Sequence, residues 1–265
     1  MIRRRGILLA GAMVLGFLCM GWVENCANPL TCKAAAPEQW TPLLLGTVIL
    51  AAGLACAVRS AYLLWRTSGL LARFETVPAP AKLLAAMHIA EVSNVRCLAD
   101  GQPLAFCSGV LKPKIHVTTG LLNVLSGPEL EAVLRHERHH SERRHPLLRA
   151  LLIAAGEVFF FLPILHWLFE RMLDDAELAA DRAAIRRVGH QAVAAALWRV
   201  GTPATKPRHA VGFGGAAELR VAQLLGETLP ARRPSARLWV HSFVGVGVCV
   251  QLGLCVAGAA TSLLR

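Results

Sequence analysis

The chain has 265 residues, of which 55% are hydrophobic and 17% are charged. Together with a mean hydropathy of +0.48, this composition excludes an ordinary soluble enzyme and predicts that part of the chain lies in a bilayer. A net charge of +11 would also fit a nucleic-acid-binding protein, but the Lys and Arg residues are dispersed along the chain. We interpret them as the positive-inside signal of a membrane protein and expect no direct nucleic-acid partner.

Four apolar stretches are long enough to cross a bilayer. They are residues 6–23, 42–65, 147–168 and 238–264. Three arginines at positions 3–5 would hold the amino terminus in the cytoplasm, so that the loop 24–40 lies outside and the basic region 66–237 lies inside. The rival interpretation of residues 1–25 is a cleavable signal peptide, which leaves 66–237 on the same side. In the outside loop, a disulfide between Cys26 and Cys32 is chemically permitted.

The region after the second stretch is predicted to hold a compact domain. A helix is expected from Ala81 to Val92, followed by three short strand-like runs at 95–99, 104–108 and 114–118. The pattern then turns helical from Pro128 to Arg144. Ser126 and Glu129 stand at capping-box spacing in front of this helix.

The zinc-helix motif His136-Glu137-Arg138-His139-His140 lies on this helix. His136 and His140 are four residues apart and project from one face, where two imidazoles can hold one divalent metal ion. A glutamate in the position of Glu137 activates the attacking water and relays its proton without binding the metal. We interpret His139 and His145 as solvated or supporting residues.

A second helix is predicted from about Leu173 to Val188, with Gly189 as its stop. Its Glu177 is a candidate third ligand, because a catalytic zinc needs three protein ligands and one open position. Asp181 follows at i+4, on the same face, where it could orient a ligating histidine. On spacing alone, an ordinary solvated helix face with Arg182 explains both carboxylates equally well. Residues 202–216, rich in Gly, Pro and Ala, are predicted to form a loop.

These residues and their neighbours resemble the BlaR/MecR-type membrane metallopeptidases, which are gluzincins, over roughly residues 104–226. The resemblance implies that His136, His140 and Glu177 bind one zinc ion and that Glu137 is the general base. It also implies that the strand containing Lys112, Lys114 and Ile115 lines the cleft and pairs with an extended protein or peptide substrate. The matching segments are Gly109 to Ile115, Gly120-Leu121-Leu122, Glu129-Leu130, 136–140, Pro146, Phe159-Phe160-Phe161, Pro163, 177–181, Arg220-Val221 and Leu224-Leu225.

The chain departs from the family pattern in two places. Family members usually carry Asp before the proline that follows the zinc helix, whereas this chain has His145. The better-known relatives also carry an extracytoplasmic sensor domain after the last span, whereas this sequence stops at Arg265. We therefore expect no direct antibiotic sensing, and any signal to enter through the spans, the short loop or a partner sensor.

The apolar stretch 147–168 is predicted not to cross the membrane. His140 precedes it and Glu177 follows it, so a single crossing would separate two ligands of one zinc ion by about 30 Å. The stretch also carries Arg149, Glu157 and His166, which are costly in hydrocarbon. A buried or re-entrant segment is expected instead.

The sequence thus predicts a multipass α-helical membrane protein with an embedded zincin-like α+β peptidase domain. We expect two transmembrane helices in residues 1–66, a cytoplasmic-side peptidase domain in 67–237 and a third transmembrane helix in 238–265. The expected function is a zinc metalloendopeptidase of the bacterial cytoplasmic membrane, in contact with lipid, that cleaves a protein such as a cytosolic repressor during signal transduction.

Two alternatives stay open. A site-2-type intramembrane protease would place its zinc ligands inside membrane spans, against which the charged residues around the motif argue; they are Arg135, Arg138, Glu142, Arg143 and Arg144. A non-catalytic, zinc-stabilised membrane receptor or interaction protein would need no general base and would close the metal with a fourth protein ligand.

Overall fold

The structure is a computed structural model that describes residues 41–201, 213–229 and 232–263. The predicted first span and the cysteines Cys26 and Cys32 lie outside the described residues. In chain order, the elements are α1 (Thr41–Leu71), β1 (Thr76–Val77), α2 (Ala81–Ala90), β2 (Val95–Leu98), β3 (Ala105–Ser108), β4 (Lys114–Thr118), α3 (Thr119–Val124), α4 (Gly127–Glu142), α5 (His145–Val158), α6 (Pro163–Gly201), α7 (Phe213–Leu224) and α8 (Ala236–Leu263).

This element order gives a mostly helical protein with one small mixed sheet. The predicted helices correspond to α2, α4 and the middle of α6, where Gly189 adopts a left-handed φ of 82° and interrupts the helix as expected. The prediction of a loop through residue 216 is wrong at its end, because α7 already begins at Phe213. The matching segment Gly120-Leu121-Leu122 lies in the short helix α3.

The described chain divides into two compact units. One contains residues 41–54, 156–167 and 233–263, and the other contains 55–155, 168–201, 213–229 and Arg232. These boundaries differ from the predicted domain limits at 66/67 and 237/238. The second unit holds the sheet and every residue of the zinc-helix motif.

Among the described residues, one helix is long and apolar enough to cross a membrane. It is α1, over Gly46–Leu71. Its apolar side chains are mostly exposed, including Leu50 at 73% and Trp65 at 71%. A helix whose apolar side chains face outward on all sides suits lipid and not water. The predicted last span also forms one helix, α8, of 28 residues.

The predicted apolar stretch 147–168 is not one helix. Helix α5 ends at Val158 and α6 begins at Pro163. Within the first unit, the intervening turn packs closely on α8, since a Cβ atom added to Gly245 would lie 2.1 Å from the carbonyl oxygen of Phe161. The Ile164 N–H also donates to the Ser242 hydroxyl at 3.0 Å. Only glycine at position 245 permits this approach.

The sheet has the strand order β1-β2-β4-β3, in which β2 and β4 are parallel and the outer pairs are antiparallel. Strand β4 is therefore hydrogen-bonded on both sides. This corrects the expectation that the strand containing Lys112, Lys114 and Ile115 pairs with substrate. Lys112 lies in the bend before β4, Lys114 begins the strand, and the Ile115 side chain is 2% exposed in the core.

The main core lies between one face of the sheet and the helices α2, α3 and α4. It is built by Leu83, Ala86, Ala90, Cys97, Ile115, Val117, Leu121, Leu122, Leu125, Leu130 and Leu134. A smaller cluster joins α4 to α6 through Ala132, Ala184, Val193 and Ala196. Helix α4 is thus fixed from two sides, which sets the positions of the motif residues that it carries.

Candidate metal centre

The start of α4 is fixed by the predicted capping box. The Ser126 N–H donates to the Glu129 carboxylate at 2.7 Å, and Pro128 stands in the first turn. The Glu129 carboxylate also forms an ion pair with Arg199 of α6, whose Nε lies 3.2 Å from Oε1. Glu129 thus ties the first turn of α4 both to Ser126 and to α6. These contacts fix the rotation of α4 about its own axis, and with it the direction in which the motif residues point.

Three predicted ligands converge at the other end of α4. The Nε2 atoms of His136 and His140 are 3.0 Å apart. The Glu177 carboxylate, from α6, places one oxygen 3.5 Å from the His136 Nε2 and the other 3.6 Å from the His140 Nε2. All three ligand atoms lie within 4.8 Å of one another. The structure therefore brings together the three residues that the sequence proposed.

This donor set fits a zinc ion. Ligand atoms at about 2.0–2.1 Å from a tetrahedral zinc are roughly 3.4 Å apart, and the separations here are 3.0, 3.5 and 3.6 Å. Two imidazoles and one carboxylate also match the ligand types of catalytic zinc sites. Within the described residues, the cluster contains three ligand side chains, which is the number that a catalytic zinc site takes from its protein.

Asp181 holds His136 from behind. The His136 Nδ1 lies 2.8 Å from the Asp181 carboxylate, so that Nε2 is turned toward His140 and Glu177. Asp181 is fully buried. Burial alone would lower the pKa of His136, but the hydrogen bonds to Asp181 and Glu177 outweigh it and raise that pKa to about 10. Binding of a metal ion at Nε2 therefore requires release of a proton.

Arg220 is a site residue to which sequence reasoning gave no role. Its guanidinium donates to both Asp181 oxygens, at 2.6 and 2.8 Å, and its Nη1 lies 3.6 Å from Glu177. Arg220 is itself 9% exposed, so this is a buried bidentate ion pair. Although burial alone would raise the pKa values of Glu177 and Asp181, His136 and Arg220 outweigh it and lower both. Both carboxylates are thus kept ionised.

Glu137 lies beside the cluster but outside it. Burial raises the pKa of Glu137 to about 7, although the charges of His136 and Arg220 and the Cys107 N–H oppose that rise. A carboxylate with a pKa near neutrality can both accept and return a proton. This is the property that the sequence assignment of Glu137 as a general base requires.

Strand β3 presents its free edge at this site. The Thr118 N–H donates to the Leu104 carbonyl. The backbone N–H and C=O groups of the alternate residues Phe106 and Ser108 therefore point toward β4. The backbone groups of Ala105 and Cys107 then point to the outer edge, and the Cys107 N–H reaches Glu137. Among the described residues, no other strand occupies that edge. The edge strand beside the motif is therefore β3 and not β4.

Comparison with models of known protein families shows to which family the chain is related. The family model described as BlaR1 peptidase M56 matches residues 23–195. The chain belongs to this family. Among curated proteins, none matches the chain significantly. Membership of the M56 family supports a membrane-associated metallopeptidase and confirms the resemblance inferred from the sequence.

The M56 match contains α4 and the part of α6 that carries Glu177 and Asp181, but it ends before Arg220. Arg220 is 39 residues from Asp181 in the sequence. The only sequence signal for it was that Arg220-Val221 resembles the family pattern. No spacing rule links an arginine on α7 to a carboxylate on α6.

His145, the departure from the family pattern, lies against the zinc helix. Its Nδ1 is 2.6 Å from the Nδ1 of His140, and the two ring centroids are 4.8 Å apart. The expectation of a supporting residue therefore fits His145. The His139 ring contacts that of His145, with the two ring centroids 5.7 Å apart.

Proposed function

We propose that the chain is a zinc metalloendopeptidase of the bacterial cytoplasmic membrane that cleaves a protein substrate at the cytoplasmic face. The observation that carries this proposal is the convergence of His136, His140 and Glu177, with Glu137 beside them and outside the ligand set. Membership of the BlaR1 peptidase M56 family supports the same chemistry.

The residues divide the reaction between them. His136, His140 and Glu177 would hold the zinc ion, which when bound polarises the scissile carbonyl and acidifies water. Glu137 accepts a proton from the attacking water as the new C–O bond forms, and then passes that proton to the nitrogen of the leaving amine, so that the C–N bond breaks. Asp181 fixes the orientation of His136, and Arg220 fixes Asp181.

The free edge of β3 is our proposed substrate strand. An extended peptide can add to an exposed edge through main-chain hydrogen bonds, and Ala105 and Cys107 direct their backbone groups outward there. Because Glu137 contacts the same edge at Cys107, a peptide bound along β3 would pass the general base. A cytosolic repressor is the substrate that the family resemblance suggests.

The experiment compares casein cleavage and zinc content in purified wild-type protein and in Glu137→Gln. We expect proteolysis to be lost while zinc stays near one ion per chain, because Glu137 acts on water and does not bind the metal. Glu142→Gln is the matched control, since Glu142 is exposed on the same helix and pairs with Arg138. A fully active Glu137→Gln protein contradicts the proposal, and zinc-free wild-type protein contradicts it too.

The same comparison tests one of the two alternatives. A non-catalytic receptor would retain zinc in every variant and cleave nothing in the wild type. Against a site-2-type intramembrane protease stand the ion pairs that surround the motif on α4, such as Arg138 with Glu142 and Arg135 with Glu131. These charged pairs suit an aqueous surface and not hydrocarbon.

We further propose three membrane crossings, at residues 6–23, 42–65 and 238–264, with 147–168 as a buried or re-entrant segment. The break between α5 and α6 supports this topology. The test places single cysteines at the exposed positions Arg143 and Arg187 in a cysteine-free background and treats cells with a membrane-impermeant thiol reagent. Both should react only after permeabilisation. Labelling of Arg187→Cys in intact cells would show a crossing and remove Glu177 from the metal site.

A further inference from the structure

The turn between α4 and α5 returns the chain onto the metal centre. Helix α4 ends at Glu142, and Arg144 adopts a left-handed φ of 54° before α5 begins at His145. Two residues therefore reverse the chain and bring the His145 ring to His140, with the Nδ1 atoms 2.6 Å apart. At this distance one nitrogen must donate a hydrogen and the other must accept it.

The chemistry of metal binding decides which nitrogen donates. The Nε2 of His140 faces His136 and Glu177, so a metal there takes the Nε2 lone pair and leaves the His140 proton on Nδ1. The Nδ1 of His145 must then be the acceptor, and the proton of His145 must lie on its own Nε2. The ring contact thus fixes one tautomer for each histidine.

We propose that His145 is a positioning residue, which accepts the His140 Nδ1–H and thereby holds the His140 Nε2 toward the metal. It does for His140 what Asp181 does for His136. The inference rests on the proposed metal centre and adds a residue-specific role within it. The two ligands differ in their partners, because Asp181 is a buried carboxylate paired with Arg220, whereas His145 acts as a neutral imidazole.

The test measures zinc affinity of the full-length, detergent-solubilised chain by competition with a chromophoric chelator. Loss of a partner behind a metal-ligating histidine weakens metal binding by about 10- to 100-fold. We expect that loss in His145→Leu, which fills space but accepts no hydrogen bond. His145→Asn should stay within about threefold of wild type, because Asn Oδ1 stands about as far from Cβ as His Nδ1 does.

The matched control is His139→Leu. His139 is the neighbouring histidine and contacts His145, but it reaches no ligand atom of the cluster. We expect its zinc affinity to equal that of the wild type. Equal affinities in His145→Leu, His145→Asn and the wild type would overturn the role of His145, whereas failure of the wild type to bind zinc would overturn the metal centre itself.

A second measurement needs no substitution at position 145. Nitrogen-15 chemical shifts of the histidine rings in the zinc-loaded wild type should show the proton of His140 on Nδ1 and that of His145 on Nε2. A His145 ring that carries its proton on Nδ1 would contradict the proposal.

Discussion

The two halves of α4 bury different chemistry on one continuous helix. Residues 127–134 bury the apolar side chains Leu130, Ala132 and Leu134 together with the capping Glu129, whereas residues 135–142 bury Glu137 and His140. The first half contacts apolar side chains of the sheet and of α6. The second half contacts carboxylates, imidazoles and a buried arginine. Burying such groups costs free energy unless they are paired. We therefore expect the apolar packing of the first half to supply the stability that offsets the cost of the buried polar groups in the second half.

This contrast predicts that changes near the second half remove function while the fold persists. Glu177→Ala, which deletes the proposed third ligand, should abolish zinc binding and lower peptidase activity at least roughly thousandfold, or by about 4 kcal/mol of transition-state stabilisation. Zinc analysis and casein cleavage measure both effects. Asp175→Ala, an exposed change on the same helix, should leave both unaltered. Zinc retained in Glu177→Ala would show that Glu177, and therefore α6, contributes no ligand to the metal.

Arg220→Met tests how the second half tolerates its buried carboxylates. Removing the guanidinium leaves Asp181 and Glu177 with His136 as their remaining cationic partner, and breaking a buried ion pair costs about 3–5 kcal/mol. We expect that loss in the free energy of unfolding of zinc-free protein, with a smaller loss when zinc supplies positive charge. Arg182→Met, at an exposed position of α6, is the control. An equal loss with and without zinc would mean that Arg220 acts only in packing.

Leu130→Ala tests the first half. Leu130 is fully buried in the main core, and truncation of such a leucine costs about 2–5 kcal/mol. Denaturant unfolding should show this loss, while the turnover number of the remaining folded protein stays unchanged. Leu84→Ala, which truncates a side chain that is 53% exposed, should cost less than about 0.5 kcal/mol. An altered turnover number in Leu130→Ala would show that the two halves are coupled.

The smallest effect is expected at the capped end of α4. Burial alone would raise the pKa of Glu129, but the contacts with Ser126 and Arg199 outweigh it and lower that pKa. Because the folded pKa lies below the unfolded value, the stabilisation is present above the unfolded pKa of about 4.3 and is lost as pH falls through the folded pKa. Glu129→Gln should cost about 1 kcal/mol at pH 7. Unfolding at pH 3 should show a smaller difference from wild type, and an undiminished one would contradict this account.

The features of α4 that depend on local spacing could be predicted from the sequence. The capping residues Ser126 and Glu129 lie three positions apart, and His136 and His140 share a face because a helix repeats every 3.6 residues. Glu177 lay on a predicted helix, but spacing alone did not distinguish a ligand from a solvated side chain. The family resemblance made that distinction, and the observed convergence supports it.

The features that depend on long-range pairing could not be predicted. Strands β3 and β4 both show short apolar patterns, and only the order of the sheet reveals that β4 is interior and β3 is the edge. The family resemblance therefore pointed to the strand of Lys112, Lys114 and Ile115 for substrate pairing, whereas among the described strands the free edge beside the motif belongs to β3. Arg220 was given no role for the same reason, since its partner Asp181 lies on another helix, 39 residues away in the sequence.

X-ray absorption spectroscopy at the zinc edge of the purified wild-type protein tests the central claim most directly. We expect one zinc ion per chain with two imidazole nitrogens and oxygen ligands at about 2.0–2.2 Å, and loss of the zinc signal itself in His136→Ala. These results would agree with ligation by His136, His140 and Glu177 and one open position. Sulfur scattering, or a shell closed by four protein ligands, would contradict the assignment of a catalytic metal centre.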